Sequence, residues 1–419
     1  MSKLCNFIEI GKTGIEPNKT PNKYFNYFSI PDFDLNKTPS MTLGSEIESN
    51  KFLINSESLL ISKLNPRKRR VWKVLINNAF KSISSTEFVN VILKSKNDLD
   101  YFYYKLQSDD IYSFLESIAI GSTNSHVRFR PERLYDIEVN IPSPPYQRKI
   151  ARILTTIDNV IEKTESAITK YKLIKQGMMH DLFTRGIDAK TGKLRSTKEE
   201  APHLYKKTEL GWIPKEWKIN KLESITSYVD YRGKTPPKSD RGIFLITAKN
   251  IKMGYIDYEI SKEYIPITSF QLAMSRGLAL IGDVVITTEA PLGNIAQIDI
   301  DGLALAQRVI KYQGKKQIIT NDFLKYSLMS DYFQRLINSE STGSTVKGIK
   351  GSRLHKQKII FPKQKNEQNM ISNLLKFYER KIETEQKQLA KLQKLKQGLM
   401  QDLLTGKKEV EPDKEDYDE

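Results

Sequence analysis

The chain has 419 residues, with 67 lysines and arginines against 50 aspartates and glutamates, four histidines and a single cysteine. A net charge of +17 repels itself in a compact fold and so points to a polyanionic partner such as nucleic acid. Cys5 excludes an internal disulfide, His126, His180, His203 and His355 lack metal-ligand spacing, and no apolar run reaches the roughly eighteen residues of a membrane span. Met1 to Ile10 lacks the basic-then-apolar pattern of a signal peptide, so a soluble, cytoplasmic protein is expected.

In chain order, residues 1–145 form a first globular region of mixed strand and helix character. Lys19-Thr20-Pro21 precedes a strand-like run at Tyr27 to Ile30, and Ser58 to Pro66 is a second strand ended by a proline turn. A helix is predicted over Asp98 to Ser108, then a loop from Gly121 to Arg128 and a strand ending at Ile141-Pro142. Residues 146–184 form a long helix. Residues 185–210 read as a linker, because Gly186, Gly192 and the charge run Lys198-Glu199-Glu200 break any periodicity.

The order then repeats in residues 211–365. Lys234-Thr235-Pro236 is followed by a strand at Ile243 to Thr247, a strand and proline turn at Asp283 to Pro291, a helix from Asn321 to Ile337, a loop at Gly343 to Lys350 and a strand ending at Phe361-Pro362. A second long helix covers 366–405, and the acidic stretch 406–419 is expected to be a disordered tail. The fold class is α/β (α+β), with a pseudo-twofold internal repeat.

The two long helices carry the repeat most clearly. Ile150, Leu154, Ile157, Ile161, Ile168, Tyr171, Met178 and Leu182 are matched position for position by Ile371, Leu375, Tyr378, Ile382, Leu389, Leu392, Leu399 and Leu403. Steps of four and three residues put each set on one helical face that another helix must cover, and the other copy is the natural partner. A helix of about 38 residues rises roughly 57 Å, comparable with one and a half turns of B-DNA, so the pair can act as a ruler. Thr164 and Glu385 interrupt the seam at equivalent places, as do Lys175 and Lys396; polar seam positions often fix register and orientation at some cost in stability. For these two lysines, near helix C-termini, dipole compensation is the simpler reading.

Candidate DNA contacts lie on the turns. Asn65, Arg67, Lys68, Arg69 and Arg70 form a basic turn after a strand; arginine can bridge guanine O6 and N7, asparagine can pair with adenine, and lysine meets phosphate. Thr288 and Asn294 occupy the matching turn of the second half. Thr123, Asn124 and Arg128, and Ser344, Thr345, Lys347 and Lys350, combine hydroxyls, an amide and cations on matching loops suited to gripping a phosphate backbone. Arg232, Lys234 and Arg308 are weaker candidates in the second half. An ordinary solvated turn is the plain alternative for each.

Gly211-Trp212-Ile213-Pro214-Lys215-Glu216-Trp217, Gly282-Asp283-Val284, Ala306-Gln307-Arg308, Thr342-Gly343-Ser344-Thr345, Glu367-Gln368 and the Lys-Gln-Gly-(Leu/Met)-Met helix ends together resemble the specificity subunit of type I restriction-modification enzymes. The resemblance covers essentially the whole chain. It implies two target recognition domains, each binding half of a split DNA site, separated by two antiparallel coiled-coil helices onto which two methyltransferase subunits dock, with restriction (translocase) subunits as further partners. S-adenosylmethionine, ATP and Mg would belong to those partners, with no cofactor or metal in this chain. The first half departs from the pattern: it has no counterpart of the Gly-Trp-Ile-Pro segment and begins almost directly at Phe7.

Two other function classes compete. The first is a standalone methyltransferase or nuclease with its own active site: Ser143-Pro144-Pro145-Tyr146 resembles the catalytic tetrapeptide of amino-methyltransferases, but its repeat partner Lys363-Gln364-Lys365-Asn366 keeps none of it and no Phe-x-Gly-x-Gly loop occurs. Gly11-Lys12-Thr13 and Gly233-Lys234-Thr235 lack the leading glycine of a phosphate loop, at Asn6 and Tyr228. A coiled-coil scaffold without base readout is disfavoured by the charge on the turns. The expected protein is non-catalytic.

Overall fold

The computed structural model describes residues 2–76, 79–94, 97–121, 127–231, 236–343 and 347–417. The chain divides into two compact units, Met1–Ser166 with Glu385–Glu419, and Ala167–Thr384. Each therefore holds one globular region, the first part of the helix that follows it, and the last part of the other long helix. Each long helix is shared between the two units.

In the first unit an antiparallel sheet runs in the order β1 (Ile8–Gly11), β4 (Phe88–Leu93), β2 (Ser58–Ser62), β3 (Val71–Val74). In the second, β5 (Thr226–Asp230), β8 (Val309–Gly314), β6 (Val284–Thr287) and β7 (Ile295–Gln297) take the same order. The unbroken apolar runs of β2 and β6 have a common cause: both faces are covered. Leu59 and Ile61 join a core with the helices, while Leu60 packs with Trp72 and Phe88 on the other side. Val284 and Ile286 likewise face helices, and Val285 the opposite core.

A second sheet lies beyond that opposite core in each unit, and each has one parallel pairing. Tyr24–Phe28 runs parallel to Lys81–Ser84, and Ile243–Ile246 to Ala304–Leu305. A third, two-stranded pairing joins Ser2–Lys3 to Glu138–Val139 and Trp217–Lys221 to Lys358–Pro362. The first half thus has its counterpart of the strand at Trp217, and in the second half a hairpin of Tyr205–Thr208 with Gly211–Pro214 precedes that strand.

Where one helix was expected in each half, there are two: α1 (Leu99–Lys105) and α2 (Asp109–Ser117), and α4 (Asn321–Met329) and α5 (Asp331–Ser339). The breaks fall at Ser108 and Ser330, each followed by an aspartate, a helix-start signature. The Ser330 hydroxyl accepts the Phe333 N–H, and the Asp98 and Thr320 side chains cap α1 and α4.

The long helices are α3 (Pro144–Thr184, 41 residues) and α6 (Lys365–Leu404, 40 residues), each about 60 Å long. In the first unit, Ile150 and Leu154 near the start of α3 share a core with Leu399 and Leu403 near the end of α6. In the second, Leu182 and Met178 meet Ile371 and Leu375, and Tyr171 lies 6.3 Å from Tyr378. Both pairings are antiparallel. Ile157 and Ile168 are also buried, whereas Ile161, Ile382, Leu389 and Leu392 are half-buried.

Two segments differ from expectation. The stretch 185–210 is packed rather than a free linker: Ile187 enters the second unit's core, the Tyr205 hydroxyl donates to the Ser196 carbonyl, and Arg195 pairs with Glu367. The acidic tail is held as far as Tyr417. Val410 packs on the first unit's core, Arg148 donates to the Asp416 carbonyl at 2.7 Å, and Lys149 and Arg152 bind the Asp413 carboxylate. Three cations at the start of α3 supply what the tail's charge requires.

Candidate nucleic-acid interface

The turn from β2 to β3 carries the basic run of the first unit. Asn65 sits in the left-handed region at φ +49° just before Pro66, a conformation costing a non-glycine residue about 1–2 kcal/mol. It is held there by its own backbone, whose N–H donates to the Val127 carbonyl (2.8 Å) and whose carbonyl accepts from Lys68 (2.9 Å). The turn is thereby bridged to the loop ending at Arg128, which pairs with Leu64 and Ile120.

The cations of this turn divide in two. Arg70 is buried and clasps Asp34 with two hydrogen bonds of 2.7 Å, holding that carboxyl below the usual carboxylate range. Arg69 pairs with Asp109 at 2.6 Å, donates to the Gln107 carbonyl and lies 5.3 Å over the Tyr112 ring. Both pin the turn to the body of the unit. Arg67 and Lys68 face solvent. Arg128 is 42 % exposed and pairs with Glu87 at 3.0 Å. Arg130, not anticipated, is exposed beside it, with Phe129 between them turned into the core. Alternation of Arg128, Phe129 and Arg130 is the signal that could have flagged it.

The second unit repeats the arrangement with other residues. Ala290, before Pro291, holds φ +39°, and Asn65, Ala290 and Lys37 are the non-glycine residues with positive φ among those described. Glu289 bridges to Gly348, as Leu64 does to Arg128. Thr288 is buried: its N–H and hydroxyl donate to the Arg308 carbonyl and its own carbonyl accepts from Ile349. Asn294 donates its side-chain amide to the Ile251 carbonyl at 2.8 Å. These two candidates build the turn. Arg308 is 51 % exposed and 3.4 Å from Glu289, and Lys347 and Lys350 are exposed on the bridged loop. Arg353, nearly a full turn beyond Lys350, adds a cation that was not anticipated. Thr123, Asn124, Arg232, Lys234, Ser344 and Thr345 lie outside the described residues. Among those described, no cluster of His, Cys, Asp and Glu could hold a metal ion, and no helix is long and apolar enough to cross a membrane.

Both units thus bring a hairpin turn and a second loop together at the same end of the same sheet, with cations turned outward and different side chains on each. This defines a protein with two recognition heads built to one plan. A type I restriction modification DNA specificity domain matches residues 1–170 and 214–394, and the chain belongs to that family. It is 30% identical over 338 residues to the MjaVIII type I restriction enzyme specificity subunit of Methanocaldococcus jannaschii, spanning 78% of this chain and 74% of the relative. A putative MjaX specificity subunit from the same organism is 25% identical over 324 residues, spanning 75% and 69%. In fold, the chain is similar to the S subunit of a type I restriction-modification system from M. genitalium, with TM-score 0.59, 15% identity and coverage of 96% and 95%. Membership makes it a DNA-specificity subunit, non-catalytic and without a cofactor of its own.

Proposed function

We propose that the chain reads a bipartite, asymmetric site in cytoplasmic double-stranded DNA, one half-site per unit, while docking two methyltransferase subunits along its helix pair. The observation that carries this is the matched bridge between turn and loop, Leu64 to Arg128 and Glu289 to Gly348. It ties the turn in each unit to a second segment and so builds one ridge per unit, a shape suited to a major groove. Arg67, Lys68, Arg128 and Arg130 supply the cations of the first ridge, and Arg308, Lys347, Lys350 and Arg353 those of the second. Phosphate contacts by such cations give affinity, and base-edge contacts give sequence.

The lengths of α3 and α6 set the gap between half-sites. Partner subunits bring S-adenosylmethionine chemistry on a base turned out of the duplex, and a translocase that uses ATP and Mg can join them. The test is to sequence modified bases in cells with and without this protein beside its methyltransferase partner. One split motif with a fixed gap, lost with the protein, is expected; modification without sequence preference would refute the reading.

A further inference from the structure

Each unit contains the same three-part polar contact, outside the ridge. In the first, the Tyr104 hydroxyl of α1 donates to the Asp158 carboxylate of α3 at 2.9 Å, and Lys396 of α6 donates to its other oxygen at 2.6 Å, lying 5.5 Å over the Tyr104 ring. In the second, Tyr326 of α4 donates to Glu379 of α6 at 2.7 Å, and Lys175 of α3 to its other oxygen at 2.6 Å, lying 5.9 Å over the Tyr326 ring. Lys325 adds a second ammonium at 2.9 Å in that unit alone. Burial pushes both phenols up and the carboxylate adds to it, outweighing a hydrogen bond with Thr155 that lowers Tyr104, so each stays a donor.

Every contact joins a globular region, its own long helix and the opposite long helix through one carboxylate. An apolar trio would hold these elements together at least as well, because desolvating a charge pair offsets much of its attraction. The polar version adds register. A one-turn slip between helices moves the lysine by about 5.4 Å, out of reach of that carboxylate and ring.

The contact also reaches the ridge. The helix α1 packs on β2 and β3, and its Asp100 pairs with Lys73 of β3. In the second unit, Asp322 of α4 accepts from Gln297 of β7. Helix register is therefore transmitted in two steps to the hairpin whose turn bears Arg67 and Lys68 in the first unit and, in the second, is bridged at Glu289 to the segment that carries Lys347 and Lys350.

We infer that Tyr104, Asp158 and Lys396, and Tyr326, Glu379 and Lys175, are positioning residues for DNA reading, each trio fixing the pose of its ridge on the helix pair and so the gap length accepted. This rests on the function proposed above. The first trio, lacking the extra lysine, is the one to perturb.

The test uses the full chain co-expressed with its methyltransferase partner, on a plasmid library in which the gap between half-sites varies by single base pairs. Wild type should favour one gap. Lys396→Met and the milder Tyr104→Phe should reduce that preference by about tenfold, leaving both half-site sequences unchanged, and the exchange Asp158→Lys with Lys396→Asp should restore it. A variant that keeps the wild-type gap preference, whatever its melting temperature, would overturn the inference, as would an equal loss at every gap. Wild type without any split motif would instead remove the functional reading itself.

Discussion

Glu367, at the start of α6, is the most heavily used carboxylate of the second unit. It is 1 % exposed and accepts from the Trp217 indole (2.9 Å), the Ile187 N–H (3.1 Å) and both terminal nitrogens of Arg195, whose side chain is 9 % exposed. Glu367→Gln preserves the shape and one acceptor, so the indole or the Ile187 amide keeps a partner. Its NH2 then faces the Arg195 guanidinium. Glu216, at 3.6 Å and largely exposed, and Asp188, which acts on Arg195 through its charge, are weak substitutes. Breaking a buried pair from one side costs about 3 kcal/mol. In a unit of this size each kcal/mol lowers the melting temperature by about 2–4 °C, so a fall of about 6–12 °C is expected in the transition that includes it. Calorimetry reads the shift, and hydrogen exchange should show lost protection at 185–195. Melting within about 1 °C of wild type, with those amides still protected, would refute the assignment of Glu367 as the clasp of this segment.

Arg67→Ala should weaken binding to one half-site by about 1–3 kcal/mol in a gel-shift comparison of altered sites, whereas equal loss on all sequences would make Arg67 a phosphate contact. Arg70→Ala should instead lower the stability of the first unit, since Asp34 and the turn lose their tie; a change in base preference at unchanged stability would contradict this. At Glu379 burial alone would raise the carboxyl, but Lys325 and Lys175 outweigh it and hold it below its usual range. Its contribution is therefore full above the unfolded value near 4.5 and lost as pH falls through the lower folded value. Urea midpoints taken from neutral pH downward should show an acid-dependent loss that Glu379→Gln reduces. Deleting residues 409–419 should raise hydrogen exchange in the first turns of α3, and so should high salt, because exposed pairs are readily screened.

The repeat was legible because helical periodicity records burial, and Ile150, Leu154, Leu182, Ile371, Leu375 and Leu403 are buried where the seam placed them. The order of sheet strands was legible only as matched runs, since β2 and β6 bury both faces and show no alternation. Dipole compensation does not account for Lys175 and Lys396: each lies more than two turns from its helix end and pairs with a carboxylate on the opposite helix, which fits the register-fixing role of a polar seam position. Spacing within one helix cannot reveal a partner on another. The tail was misread for the same reason: its acidity signals disorder unless cations such as Arg148, Lys149 and Arg152 stand opposite, and only the fold brings them there. Asp34 is far in sequence from Arg70, so composition could not tell which arginine of the basic run faced inward.

What each turn residue already does limits what it can say to DNA. A side chain whose hydrogen bonds hold the turn cannot turn to a base edge without releasing that turn. Asn294 gives its amide to Ile251, Thr288 gives its hydroxyl to Arg308, and Arg69 and Arg70 are bonded to the body of the first unit. These residues set the ridge in place. The exposed cations at Arg67, Lys68, Lys347 and Lys350 have no such duty on view, and Arg128 and Arg308 are held by carboxylates that a phosphate could replace. Glu87 and Glu289 would then act as placeholders, keeping a guanidinium extended and desolvation small until DNA arrives. A ridge built this way tolerates change at its outward residues without loss of fold. Two units with one scaffold and unlike turns are the form such tolerance takes.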